Sequence, residues 1–363
     1  MMLELDEKKI RKGRPIGLPY QGSKKKVSKK IVEIIKQNFG TDKPIYDIFG
    51  GGGAITAECL LNGLEVHYND LDRTITDMFQ RVLATDREFL KTLIISRDEF
   101  LKICDKENKT VDDELKLLVN SFGNNRKGYL YSEEFSDLKH NLVTEIIKKH
   151  DTFSGYKKTD TYLKAKNAFK EQPQQLEQLQ RLQQLEQLQR LQQLEQLQRL
   201  QQLGRMLGAT NLDYKAFSDI ENSILYLDPP YQGATGYGGY EHGGKARSVL
   251  PDVYNKMRQK LLKMPTGSVI VEEEIEYKLG MPPNNYRMYV KDLRIHPNSF
   301  DNQSFYDWAY EMSKKNIVLI SSYEISDSRF GCVYEFKTAR STFQGGTNNN
   351  KTEKLFMVKK GVK

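Results

Sequence analysis

Apolar positions in this chain fall into short blocks and helical stripes. Residues 224–227, Ile-Leu-Tyr-Leu, form a continuous apolar block, the pattern of a strand buried on both faces. Residues 44–46 and 64–68 are similar short strand-like runs, and residues 54–61 between them hold few breakers and read as a helix. Residues 24–38 place Val27, Ile31, Ile34 and Ile35 at helical spacing. Helices of mixed charge are expected over 73–106, and another closes at 115–122. Later come a helix around Phe305-Tyr306-Asp307-Trp308, a buried strand at 317–323 and a strand at 352–357. Residues 241–298 read as a small inserted lobe, with a helix at 253–264, strands at 268–271 and 286–295, and an acidic run at 272–274. Short strands alternating with helices predict an α/β fold with a mostly parallel sheet.

Residues 174–203 break this pattern. Leucine recurs at every third position from Leu176 to Leu203, inside a repeated nine-residue unit. Leu, Gln, Glu and Arg all favour helix, and Glu177–Arg181, Glu186–Arg190 and Glu195–Arg199 are i,i+4 pairs in the favourable order. Period three does not match an α-helix: each step slips by about 60°, so the leucines circle the axis and no apolar face results. A heptad coiled coil is excluded. A helix with leucines all round, partly buried on both sides, is favoured over a solenoid-like coil, and a repetitive spacer is the expected role.

Candidate chemistry gathers at three places. The 224–227 block ends in Asp228-Pro229-Pro230-Tyr231, which delivers a carboxylate, a stiffened backbone and an aromatic ring to one strand end. A carboxylate and a backbone carbonyl can accept both hydrogens of an exocyclic base amine, and the ring can stack on an extruded base. The 44–46 run leads into Asp47-Ile48-Phe49 and four glycines, Gly50 to Gly53. Strand, glycine loop and helix suit close backbone approach to a ligand, although a flexible turn reads the same way. The next strand ends in Asn69-Asp70, where an acid binds ribose hydroxyls in nucleotide folds. The loop is not G-x-G-x-x-G and lacks a Walker lysine.

The order Pro19-Tyr20-Gln21-Gly22-Ser23-Lys24, D-x-F-x-G-x-G at 47–53, Asn69-Asp70 and D-P-P-Y at 228–231 resembles the Dam-like N6-adenine DNA methyltransferases. The resemblance covers about residues 15–135, 206–240 and 299–357. It implies a mostly parallel Rossmann-like sheet using S-adenosylmethionine, with an inserted target-recognition region and a further small inserted lobe. The implied divisions are 1–80, the cofactor-binding half; 81–173, target recognition; 174–203, the repeat; 204–240 with 299–363, the catalytic half; and 241–298, the lobe. The cofactor residues would be Tyr20, Lys24, Asp47, Phe49, Gly51, Gly53, Asp70 and Asp228, with Lys24 facing the cofactor carboxylate and Asp70 its ribose. The family usually has tryptophan where Tyr20 stands. Asp228, Pro229, Pro230 and Tyr231 would be catalytic. Residues 210–214 would supply the strand before the catalytic one. Asn120, Asn124, Asn125, Arg126 and Lys127 would contact DNA, in a loop that reads equally as a helix cap rich in Gly and Asn. Residues 132–170 mix lysines and tyrosines, as a recognition region or a solvated helical face would. Gln232 to Tyr240, rich in glycine, would close over the flipped base, and residues 340–350 would form a hairpin loop on the DNA side. Double-stranded DNA is the implied partner; a cognate restriction endonuclease is one that restriction-modification systems add, and a phage setting is the other.

Charge and cysteine add little. Lys and Arg total 56 against 48 Asp and Glu, and residues 1–30 hold ten of them. Lys24, Lys25, Lys26, Lys29 and Lys30 suggest a phosphate-tracking surface beside the first motif. Three cysteines, Cys59, Cys104 and Cys332, show no metal spacing, and no long apolar span occurs, so a cytoplasmic protein without metal or membrane association is expected. His67 reads as structural. An RNA or cytosine-N4 methyltransferase would share the core, the latter more often with serine at Asp228. A protein-glutamine methyltransferase would favour asparagine there, and a non-catalytic DNA-binding homologue would lose the motifs. Oligomeric state is not encoded in any of these signals.

Overall fold

The computed structural model describes residues 2–20, 23–170, 185–203, 206–230, 245–248, 251–261, 263, 270–272, 275–279, 287–292, 300–340 and 352–359. Its main sheet has seven strands: β1 (Ile45–Asp47), β2 (Val66–Asn69), β3 (Met206–Thr210), β4 (Ile224–Leu227), β9 (Ile317–Ser322), β10 (Phe330–Arg340) and β11 (Thr352–Val358). They lie in the order β10-β11-β9-β4-β1-β2-β3. Strands β3, β2, β1, β4 and β9 are parallel; β11 runs antiparallel between β9 and β10. A second sheet, β5-β8-β7-β6, joins β5 (Lys245–Ser248), β6 (Ile270–Glu272), β7 (Ile275–Leu279) and β8 (Arg287–Asp292) in antiparallel pairs. This sheet lies within the expected lobe: the strand expected at 286–295 contains β8, the one at 268–271 overlaps β6, and β5 and β7 were not foreseen.

The helices are α1 (Ser28–Phe39), α2 (Ala54–Leu61), α3 (Arg73–Ala84), α4 (Arg87–Lys91), α5 (Arg97–Cys104), α6 (Val111–Asn120), α7 (Glu133–His150), α8 (Asp160–Lys170), α9 (Glu186–Gln198), α10 (Pro251–Leu261) and α11 (Asn302–Met312). β4 is buried at every position, as its unbroken apolar run requires. One core forms on the side of α1, α2, α3 and α9, and a smaller aromatic one around Phe49, Tyr214, Phe300, Phe305 and Trp308.

Three expectations need correction. The strand placed at 210–214 ends at Thr210; Tyr214–Phe217 forms a short 3-10 turn whose start is capped by Asp213. β10 was not foreseen. The repeat is helical as expected from Glu186 to Gln198, but it is not a spacer where it is described. Leu185, Leu188, Leu191, Leu194, Leu197 and Leu200 are each at most 3% exposed. α9 is packed against α3, α4 and α6, and the turn after it against α2 and α3. Leucines that circle a helix become core residues when neighbours surround it. Repeat residues 174–184 lie outside the described residues.

Candidate active site

The strand order turns at the centre of the sheet. β1 has β2 on one side and β4 on the other, so the crevice at their C-terminal ends is a natural ligand site. The register sets Asp47 opposite Tyr226, which brings the glycine loop and Asp228 to the same edge. Ile48 N donates to Tyr226 O at 3.2 Å and fixes that juxtaposition.

The glycine loop is tightly walled. A Cβ at Gly51 would stand 3.0 Å from the Tyr20 ring, one at Gly52 2.7 Å from Tyr20 Cβ, and one at Gly53 2.2 Å from the Phe79 ring. Gly51 and Gly53 also have φ of 48° and 70°, a region that favours glycine. Asp70 closes the loop from β2: one carboxylate oxygen accepts from Gly51 N at 2.7 Å, the other from Asp72 N at 2.8 Å. Burial outweighs these bonds and lifts its carboxyl to about 6. Asn69 is structural, linking Ile48 O, Leu212 and Thr210.

Asp47 ties the loop to the helix that follows it. It is buried, and one oxygen accepts from Thr56 N and Oγ1 at 3.1 and 2.7 Å, which ties β1 to the first turn of α2. Its other oxygen has no hydrogen-bond partner among the described residues. Burial pushes its carboxyl up to about 7. Phe49 lies in the aromatic cluster, with ring centroids 5.7 Å from Phe305 and 6.1 Å from Tyr214, so it anchors the loop. His67 is structural as expected, stacked on Tyr46 and bonded to Thr210 Oγ1.

Asp228 leaves the end of β4 beside Lys24. The ammonium is 2.8 Å from Asp228 Oδ1 and 3.8 Å from Glu353 Oε2. Glu353, on β11, also accepts from Ser321 Oγ at 2.5 Å. Burial pulls the Lys24 pKa down, but the two carboxylates outweigh it and the net shift is upward. Burial, then Asp228 and Glu353, hold the Tyr226 hydroxyl protonated beneath them. Pro229 is buried and Pro230 half-buried. Tyr231, Gln232 to Tyr240 and residues 341–350 lie outside the described residues. Glu353 escaped sequence reasoning, because a glutamate in a strand pattern gives no sign of the lysine more than 300 positions away.

The lysine cluster is not a free phosphate-tracking surface. Lys24 pairs with Asp228, Lys25 donates to Leu18 O and Gln193 Oε1, Lys29 to Gly13 O and Lys30 to Glu7. Lys26 remains exposed. The N-terminal segment is not a loose tail either: Leu3 is buried with its N–H on Val333 O, and Arg11 grips buried Glu58 through two bonds of 2.8 Å.

The predicted DNA-contacting residues separate. Asn120 is fully buried; its amide donates to Leu93 O and Lys116 O at 2.7 Å, and its oxygen accepts from Gln187 at 2.5 Å. It cannot reach a base in this arrangement. Arg126 is held by Glu114 at 2.9 Å. Asn125 folds over its own loop, accepting from Lys127 N and Gly128 N. Asn124 is half-buried with its side-chain oxygen enclosed and unbonded among the described residues. Lys127 is exposed, and so is Phe122, at 69%, on the same loop. The loop is pinched at its base by a bridge between Ser121 and Tyr129.

Among the described residues, no helix is long and apolar enough to cross a membrane. Comparison with known proteins bears on this site. Residues 20–274 match the model of the D12 class N6 adenine-specific DNA methyltransferase family. The match starts at Tyr20 and runs through the glycine loop and D-P-P-Y into the second sheet. No curated protein matches the chain.

Proposed function

Because this chain belongs to the D12 class N6 adenine-specific DNA methyltransferases, we propose that it transfers a methyl group from S-adenosylmethionine to N6 of an adenine flipped out of duplex DNA. The observation that supports this most is the meeting of Asp228 with the glycine loop and Lys24 at one sheet edge.

The residues present fit S-adenosylmethionine. The loop from Gly50 to Gly53 leaves no room for side chains and offers bare backbone, with Tyr20 against it. The Asp70 carboxylate, already at the loop, would take the ribose hydroxyls, and Lys24 the carboxylate of the cofactor. When bound, the cofactor supplies the activated methyl group.

Asp228 and the Pro229 carbonyl would accept hydrogen bonds from the two N6 hydrogens and keep the lone pair on nitrogen; transfer of the methyl group would break its bond to sulfur, release S-adenosylhomocysteine and give up one N6 proton to solvent. N6 is the only nucleophile the reaction requires. The work of the chain is therefore positioning and electrostatics. A paired adenine buries N6 in the duplex, so the base leaves the stack, and Tyr231 would stack on it. Lys127 and Phe122, exposed on the 121–129 loop, would meet DNA.

The test is to incubate the protein with duplex DNA and S-adenosylmethionine labelled in the methyl group, then digest to nucleosides. Label in N6-methyladenine is expected. Label in cytosine, in RNA alone or in neither would overturn the reading.

A further inference from the structure

The repeat helix α9 bridges the two functional parts of this fold. Arg190 is buried, and its Nη1 donates to Leu118 O, Val119 O and Ser121 O at 3.1, 2.8 and 2.7 Å. These carbonyls end α6 and begin the 121–129 loop. A helix end leaves its last carbonyls unsatisfied and carries partial negative charge, so a buried guanidinium there is a strong cap. One turn earlier, Gln187 donates to Asn120 and lies beside Tyr129 and Tyr131, at the returning side of the loop. One turn later, Gln193 accepts from Lys25 at 3.0 Å, next to Lys24 in the cofactor motif. The loop itself has φ of 61°, 56° and 60° at Gly123, Asn124 and Arg126, a conformation that needs external support at the last two.

The sequence adds a second observation. Residues 177–189 read Glu-Gln-Leu-Gln-Arg-Leu-Gln-Gln-Leu-Glu-Gln-Leu-Gln, the same thirteen residues as α9. A register shift of nine positions therefore presents identical side chains to the core. Two residues separate Leu203 from β3, whereas fourteen separate α8 from Leu185. The short side fixes the register.

We propose that Arg190, with Gln187, is a positioning residue that sets the 121–129 loop relative to the cofactor motif, and that the repeat copies are interchangeable in this role. The proposal rests on the reading that this loop meets DNA.

Arg190→Gln removes the three-carbonyl cap. The expected result is a KM for duplex DNA raised at least tenfold, with affinity for S-adenosylhomocysteine within twofold of wild type. Inserting one unaltered nine-residue unit after Leu200 in the Arg190→Gln chain moves the altered copy nine positions toward the N-terminus and brings Arg199 into the cap position. DNA KM should return to within threefold of wild type. If Arg190→Gln alone fails to fold, restored folding on insertion supports the same interchange. A KM unchanged by Arg190→Gln, an equal loss of cofactor affinity, or no rescue by insertion would overturn the proposal. Lys127→Ala separates the underlying reading: it should lower the slope of log affinity against log salt by about one. An unaltered slope would remove the loop from the DNA surface, whatever Arg190 does.

Discussion

The Lys24 ammonium lies 2.8 Å from the Asp228 carboxylate, across 204 positions of sequence, with Glu353 on its other side at 3.8 Å. One cation thus serves two carboxylates where the 19–24 motif meets the end of β4. Their side chains are between 7% and 14% exposed, so water screens the trio little.

Lys24→Met should therefore do more than weaken cofactor binding. It leaves Asp228 and Glu353 without their shared cation, and losing one partner of a buried pair costs about 3 kcal/mol. Urea unfolding of the two proteins without cofactor measures this. A loss below about 1 kcal/mol would mean that the pair is worth no more than a surface ion pair.

Asp47 gives the protein an acid-favoured term. Its carboxyl titrates at about 7 in the folded chain because burial penalises the charge, against about 3.9 when unfolded. Between these values the folded state holds more protons, so this group's contribution to stability falls as pH rises. Asp47→Asn keeps an oxygen for Thr56 and does not titrate. Relative to wild type, its stability should improve by about 2.7 kcal/mol from pH 5 to pH 8. Parallel unfolding curves at the two pH values would contradict the assignment.

Asn120→Ala distinguishes a structural asparagine from one that reads bases. The side chain makes three hydrogen bonds within the core, so its loss should lower stability by about 2 kcal/mol and leave the methylated sequence unchanged. Mapping of modified adenines, together with thermal unfolding, checks both. A changed recognition sequence at unchanged stability would restore Asn120 to the DNA interface.

The parts of the fold that could be read in advance share a physical reason. β4 and β9 are apolar runs bounded by Gly, Pro or polar residues, β1 and the second half of β11 are shorter ones, and α2 runs from Ala54 to Leu61 as its lack of breakers suggested. β10 hid because Gly331 and scattered polar residues blur the alternation of an edge strand. β3 follows the repeat directly and carries Gly208, whose missing side chain admits the His67 ring. The glycine loop, Asp70 and Asp228 could be placed at strand ends because each follows a short apolar run in the sequence; the roles proposed for them rest on that placement. Asn120 was over-read: its side chain satisfies buried backbone and Gln187, which sequence does not distinguish from a base contact; the tie from Asp47 to Thr56 was equally hidden. Leucines all round a helix implied burial on more than one side, as α9 has; which neighbours enclose it was not legible, since a period of three points to no single apolar face. The Arg190 cap was hidden among identical arginines, of which only the surrounding fold selects one.

Asp228 carries the central claim. Single-turnover methyl transfer by Asp228→Ala, alongside duplex binding by the same protein, tests it most directly. The expected result is a rate reduced well beyond a hundredfold, more than about 2.7 kcal/mol of transition-state stabilisation, with DNA affinity within threefold of wild type. A rate within tenfold of wild type would contradict the assignment of this carboxylate to adenine N6.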